Sequence, residues 1–412
     1  PCCRMGKTPA DHPQASGPLP DFGAGRRRTK GLVRRLAPVF LCMLVALPGH
    51  ANADLPVYTP LLHIDLGRYV PGADYSSHRL NWGDADAPYA FSVQNRLQPR
   101  FVSPYDADPR TLEGLRLDDD DLFFRRVRTT VRGNLNTSRL TYHIQYDWLD
   151  RFTRDLALNY RWGDRLNLWA GRGKVMYNDE RVVSSGRVQF VNRSIVSDLF
   201  TLDRQMGLQL HGRLFAGSAA DVDYALGVFA GQGLGARSNE SDRPMLTARL
   251  RWNLLGERIS QQQSDFAFTR RPGARLTLGG MSGRSSCTRF VSQPESCLAL
   301  PGFITPNDAG NDQFEMRQFL LEGKFNWQGI SVLSELHWKE VVDQTLGGDD
   351  PRRQTALRGG FLQGGIMLQR LSPALPPRVE AAMRYAYIDP DDPRGSDDQR
   401  EISAVINWFI DG

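Results

Sequence analysis

The side chains with most chemistry to offer here are cations spaced by two. Arg126, Arg128 and Arg132 recur at even intervals in "DDDDLFFRRVRTTVRG" (118–133), and Arg172 and Lys174 repeat that spacing in "WAGRGK" (169–174). A β-strand rotates its side chains half a turn per residue, so even spacing sets these groups in a row on one face. The stretch 175–205 adds Arg181, Arg187, Arg193 and Arg204 among Asp179, Glu180, Asp198 and Asp203. Guanidinium rows attract anions and offset their dehydration in a narrow passage. The planar fork also gives phosphate-like oxygens two parallel hydrogen bonds. That is electrostatic chemistry and breaks no bonds.

Bond-making chemistry finds less support. His143, His211 and His337 fall inside apolar–polar alternations with no convincing nucleophile and carboxylate set around them. "GRGKVM" (171–176) completes neither a P-loop nor a dinucleotide fingerprint. The histidines have no metal-ligand spacing, and no His lies near Cys287 and Cys297, which argues against zinc. Neither a metal nor a cofactor is expected. Those two cysteines remain once a leader is removed, an even count that suits one disulfide in an oxidising compartment. Asn136-Thr137-Ser138 has the form of a glycosylation sequon but reads as turn chemistry. Asp118–Asp121 could attract divalent cations, including those that bridge lipopolysaccharide, and reads as readily as a solvated loop end.

Ten-residue alternations must position these groups. In "RLTYHIQYDW" (139–148), Leu140, Tyr142, Ile144, Tyr146 and Trp148 share one face, and Arg139, Thr141, His143, Gln145 and Asp147 share the other. Fourteen such segments are legible: 89–101, 123–135, 139–148, 155–162, 165–174, 206–215, 222–231, 245–254, 274–281, 314–327, 330–341, 354–368, 378–388 and 399–409. Those at 165–174, 274–281 and 354–368 alternate poorly. Connections switch between short (136–138, 163–164, 328–329) and long (102–122, 175–205, 282–313), with 255–273 long where a turn is due. Short turns at one end and long loops at the other mark an all-β transmembrane antiparallel barrel, apolar outside and polar inside. Trp162, Trp252, Trp327 and Trp408 close strands at the short-turn end, and Trp148 and Trp338 at the other, as interfacial girdles do.

If the apolar parity faces lipid, the pore face gathers the strand cations above with Arg96, Arg100, Arg139, Arg161, Arg213, Arg249, Arg251, Lys324, Lys339, Arg378 and Arg384. Asp147, Asp155, Asp223, Glu322, Glu335, Glu380 and Glu401 stand against them. Arginines staggered against acids merely to stiffen the wall are the competing reading. The stretch 175–205 is the third connection on its side, where porins fold a constricting loop inward. Its charges either contact permeating anions or pin the loop to the wall.

Bulk properties bound the reading. In 412 residues aromatics make up 10%, and the mean hydropathy is −0.42. No apolar run beyond the N-terminus nears the 18 or so residues of a spanning helix. A pI of 9.0 invites a nucleic-acid partner. The excess charge, however, belongs to the leader. Of 51 basic and 46 acidic side chains, eight and two lie in 1–53, leaving 43 against 44. No nucleic-acid partner is expected. Residues 1–53 read as an upstream extension and secretory signal: Arg34-Arg35, the apolar "LAPVFLCMLVAL" (36–47), then Ala51-Asn52-Ala53 as cleavage site. Residues 54–88 read as a periplasmic N-terminal segment and 89–412 as the barrel.

At 118–207 the chain resembles the phosphate-selective porin O and P family. The matching residues lie in "DDDDLFFRRVRTTVRG" and in 169–210, at Lys174, Ser184-Ser185, Phe190, Arg193-Ser194, Phe200, Arg204 and Gly207. "VEAAMRYAYIDPDD" (379–392) and "EISAVINWFIDG" (401–412) resemble its late strands. The resemblance implies a 16-stranded homotrimeric channel in a Gram-negative outer membrane, in contact with lipid and lipopolysaccharide and passing small solutes. Fourteen segments plus one hairpin would make sixteen. The chain stops at "FIDG" without a closing aromatic, so a C-terminal truncation is expected. The expected function is passive diffusion of small hydrophilic, preferentially anionic solutes, with phosphate-like anions included, and no enzymatic activity. The alternatives are a barrel-embedded enzyme and a non-conducting adhesion or scaffold barrel.

Overall fold

The computed structural model describes residues 73–76, 79–84, 87–103, 120–240, 243–256, 258–293, 296–390 and 397–410. The leader predicted over 1–53 and most of the connection 102–122 lie outside them.

Every alternating segment becomes a strand. Along the chain these are β3 (Ala90–Val102), β4 (Asp121–Asn134), β5 (Leu140–Asp147), β6 (Phe152–Gly163) and β7 (Leu166–Lys174). Then come β8 (Arg204–Leu214), β9 (Val222–Phe229), β10 (Met245–Leu255) and β11 (Gly273–Ser285). The last five are β14 (Phe314–Trp327), β15 (Ile330–Asp343), β16 (Gln354–Met367), β17 (Val379–Asp389) and β18 (Gln399–Trp408). A short hairpin, β1 (Ala73–Ser76) and β2 (Arg79–Trp82), precedes them, and the strand count reaches sixteen here. Periodicity misses it because four residues are too few to show a period of two. A separate two-stranded ribbon, β12 (Arg289–Phe290) and β13 (Cys297–Leu298), decorates the β11–β14 connection.

The sixteen strands form one sheet in which each described neighbour pair is antiparallel and follows chain order. The two ends of that order converge on one loop. From β3, Arg96 Nη1 donates to Ser185 Oγ (2.9 Å) and Arg100 Nη1 to Asn192 Oδ1 (2.9 Å). From β18, Glu401 Oε2 accepts from Ile195 N (2.9 Å), and Asn407 Nδ2 donates to Gln189 O (3.0 Å). The sheet therefore curls around residues 185–195.

Polarity is inverted relative to a soluble protein. On the outer rows Leu97, Phe124, Leu156, Leu208, Leu246, Phe319, Leu362, Met383 and Ile402 are exposed. Arg249, Thr277, Glu322, Lys324, Glu335, Lys339, Glu380 and Arg384 on the inner rows are buried. Trp148, Trp162, Trp252, Trp338 and Trp408 lie exposed at strand ends. An apolar wall with aromatic ends needs a hydrocarbon surround, since water would leave these rows of Leu, Phe and Ile wetted at a cost of roughly 25 cal/mol per Å².

Candidate functional site

Two irregularities of register shape the inner wall. Between β3 and β4 the pairing steps from Gln98–Arg126 to Pro99–Phe124, leaving Arg125 as the extra residue of a bulge. Arg125 and Arg126 then border the same inner cavity. Between β5 and β6 the pairing steps from Gln145–Asp155 to Tyr146–Thr153, making Arg154 the extra residue. Arg154 and Asp155 are both buried inward. Strict alternation sends Arg125 and Arg154 to the outer face, so the sequence pattern misses both. Two adjacent charged residues at each position, "RR" and "RD", are the only signal it offered.

The β7–β8 connection (175–203) folds inside, carrying two short helices, α1 (Asp179–Val182) and α2 (Ile195–Phe200). Wall carboxylates hold its first turn: Glu322 Oε2 accepts from Asp179 N (2.7 Å) and Glu335 Oε1 from Glu180 N (2.7 Å). Asp179 in turn binds Arg249 Nη2 (2.7 Å), Arg251 Nη2 (2.8 Å) and Arg275. Glu180 accepts from Ser194 N (2.6 Å) and Ser194 Oγ (2.8 Å), joining α1 to the start of α2. Opposite the loop, β16 reads "GGFLQGG" because the loop packs there: a Cβ at Gly359 would lie 2.8 Å from Phe200 Cε2. That explains the poor alternation of this strand.

The unexpectedly long β10–β11 connection enters from the turn end. Gln263 Oε1 accepts from Gln189 N (2.9 Å), Ser264 Oγ donates to Glu380 Oε2 (2.8 Å), and Lys324 Nζ donates to Ser260 O (2.7 Å). Loop and strap together pack against the inner face of β14–β18.

Space remains elsewhere: a cavity of about 470 Å³ lies between the strap and β7–β10, lined by Asn167, His211, Arg213, Asp223, Arg249 and Arg251, and two basic cavities lie against β3–β8. The one nearer the loop end, about 120 Å³, is lined by Arg125, Arg126, Arg128, Lys174, Arg181, Arg193 and Arg204, with hydroxyls of Ser185, Ser194, Ser197 and Thr201 and one acid, Asp198. The deeper one, about 180 Å³, has Arg96, Arg128, Arg132, His143, Gln145, Asp155, Lys174 and Arg204. Arg128, Lys174, Ser185 and Arg204 border both and form the neck between them.

Charge compensation around the two cavities is uneven. Arg128 Nε binds Asp147 Oδ2 (2.6 Å), Arg181 Nη2 binds Asp203 Oδ1 (2.6 Å) and Arg204 Nε binds Asp155 Oδ1 (2.6 Å). Arg126 instead donates to Gln98 Oε1 (2.8 Å) and Arg96 to the hydroxyls of Ser184 and Ser185. Lys174 Nζ donates to Val182 O (3.3 Å) and Val183 O (3.0 Å), and Arg193 Nε to Glu180 O (2.8 Å). Neutral oxygens orient these four cations without cancelling them. Burial and then the neighbouring Arg181 lower the Arg193 guanidinium to about 9, so it stays charged at neutral pH.

The nine cations singled out by sequence thus divide. Arg126, Arg128, Arg132, Lys174, Arg181, Arg193 and Arg204 line the cavities. Arg187 is exposed and borders neither; its carbonyl accepts from Gln263 N (3.1 Å). Arg172 sits between the two faces. It borders the deeper cavity, yet pairs across the sheet with Leu156 and Met206, and Leu156 is 54% exposed on the outer row. Poor alternation in β7 concealed its parity. Of the loop's acids, Asp179 binds wall arginines, Asp203 binds Arg181 of the loop itself and Asp198 lines the first basic cavity, which Arg193 also borders without a carboxylate partner among the described residues. Cys287 and Cys297 form a disulfide with a Cα–Cα distance of 5.2 Å, closing the hairpin whose tip, Val291–Gln293, roofs the first cavity.

The outer-membrane protein OmpT of Vibrio cholerae has a similar structure, with a TM-score of 0.50 at 8% identity over 79% of this chain and 84% of that one. The fold is that of an outer-membrane β-barrel. The outer-membrane channel DcaP of Acinetobacter baumannii also matches, with a TM-score of 0.36 at 10% identity over 76% of this chain and 96% of that one. No family model and no curated protein matches this sequence.

Proposed function

We propose that this barrel is a passive channel of a Gram-negative outer membrane, carrying small hydrophilic solutes with a preference for anions. The observation that supports it is the pair of adjoining cavities: Arg96, Arg126, Lys174 and Arg193 line them, each held by neutral oxygens and none by a carboxylate among the described residues. Phosphate-like anions suit the guanidinium forks and hydroxyls, in keeping with the resemblance to phosphate-selective porins, and homotrimeric assembly belongs to the same proposal. A catalytic role has less to build on. His337 Nε2 faces Glu335 Oε2 (3.1 Å) in a sealed environment, and His211 Nε2 contacts Asn159 Oδ1 (2.9 Å). The test is the reversal potential of the reconstituted protein in a planar bilayer under a potassium chloride gradient. Anion preference gives the sign of chloride permeation, whereas a cation-selective or silent bilayer rejects the proposal.

A further inference from the structure

Arg172 also belongs to an unassigned feature. On the outer wall at the loop end of β5–β8 lies a recess of about 580 Å³. Its floor is apolar, from Leu156 and Met206. Its rim carries the guanidinium groups of Arg151, Arg172 and Arg237. None of the three has a carboxylate partner among the described residues, and Arg172 Nε is buried with no acceptor. Arg172 is held in place by Thr153 O (2.6 Å from Nη2) and by the Phe152 ring, 4.8 Å from its Cζ.

Depth is set by the aromatics. Tyr146, which also borders the recess, packs edge-on against exposed Trp148 (ring centroids 4.9 Å apart), and such pairs sit at the headgroup level. Three uncancelled cations over a hydrocarbon floor at that depth complement one kind of molecule, an amphiphile with a multiply anionic head. Long loops mark the external side of a barrel, so the recess opens to the outer leaflet. We propose that it is a binding site for the phosphorylated head and adjoining acyl chain of an outer-leaflet glycolipid. The site rests on the lipid-facing reading of the outer wall and is independent of ion selectivity.

The experiment is titration of the full-length protein in phosphatidylcholine nanodiscs with bisphosphorylated lipid A, followed by native mass spectrometry. Arg151→Ala/Arg237→Ala and Arg172→Ala are compared with Arg352→Ala, which removes a cation from a loop tip elsewhere. Loss of charge-assisted hydrogen bonds should weaken lipid A binding by roughly tenfold or more in the first two and leave the control unchanged. Dephosphorylated lipid A should bind wild type as weakly as lipid A binds the variants. Equal binding by the variants, equal binding of the dephosphorylated lipid, or displacement by millimolar inorganic phosphate alone would each overturn the site. A protein that stays dissolved without detergent refutes the membrane reading itself, whereas a protein that inserts but shows unaltered lipid A binding refutes only the recess.

Discussion

Removing Arg126 and Arg132 together isolates the field of the inner wall from the architecture of the loop. Arg126 donates to Gln98, and Arg132 lies exposed in the deeper cavity, so neither truncation strands a buried carboxylate. A unit charge about 7 Å from a permeating ion contributes about 0.6 kcal/mol in water, and roughly half of that after screening at 0.1 M salt. Each substitution raises the anion's barrier by that amount and lowers the cation's equally. The permeability ratio therefore falls about threefold per residue, more where low dielectric strengthens the field. Six residues of strand separate the two by about 20 Å, beyond the screening length, so they act at different depths in series. The Arg126→Ala/Arg132→Ala protein should thus show a ratio between about threefold and eightfold lower. Reversal potentials under a tenfold salt gradient measure it, with Arg317→Ala, which removes an exposed charge from the outer row of β14, as the control. An unchanged ratio in the double variant, or an equal fall in the control, would refute a selectivity carried by the inner wall.

The remaining predictions concern the frame. Asp179→Asn removes the charge that Arg249, Arg251 and Arg275 share, and breaking a buried ion pair costs about 3–5 kcal/mol. The expected outcome is a lower unfolding temperature in detergent and a larger, noisier single-channel current, whereas wild-type values for both would mean the loop is held by other contacts. Replacing Cys287 and Cys297 with serine should cost about 2–3 kcal/mol locally for this short closed loop. Limited proteolysis should then cut within 288–296 while leaving the strands intact, and a cleavage pattern identical to wild type would argue against the disulfide as the hairpin's main restraint.

The strands were legible because lipid outside and water or polar loop inside impose a period of two over ten or more residues, as in 139–148. The bulges were not, because a single inserted residue changes the phase without changing composition. Arg125 and Arg154 therefore moved inward unannounced, and weakly patterned β7 left the face of Arg172 open. Cations could be picked out by type and spacing, whereas their compensation could not. Whether Arg204 meets Asp155 or Arg193 meets only a carbonyl depends on contacts across 49 and 13 residues of chain. The strap 256–272 gave itself away by length alone, with nothing in its sequence to say that it turns inward.

Filling the lumen on one side divides the wall into two regimes. Inward positions on β10–β17, such as Glu335 and Glu380, are as enclosed as any soluble protein's interior, so substitutions there are paid for in folding. Inward positions on β3 and β4 such as Arg96, Arg126 and Arg132 are less enclosed and pair with no carboxylate among the described residues, so they can change with little structural penalty. If the barrel conducts as proposed, its permeant preference can drift along one flank while the opposite flank preserves the scaffold.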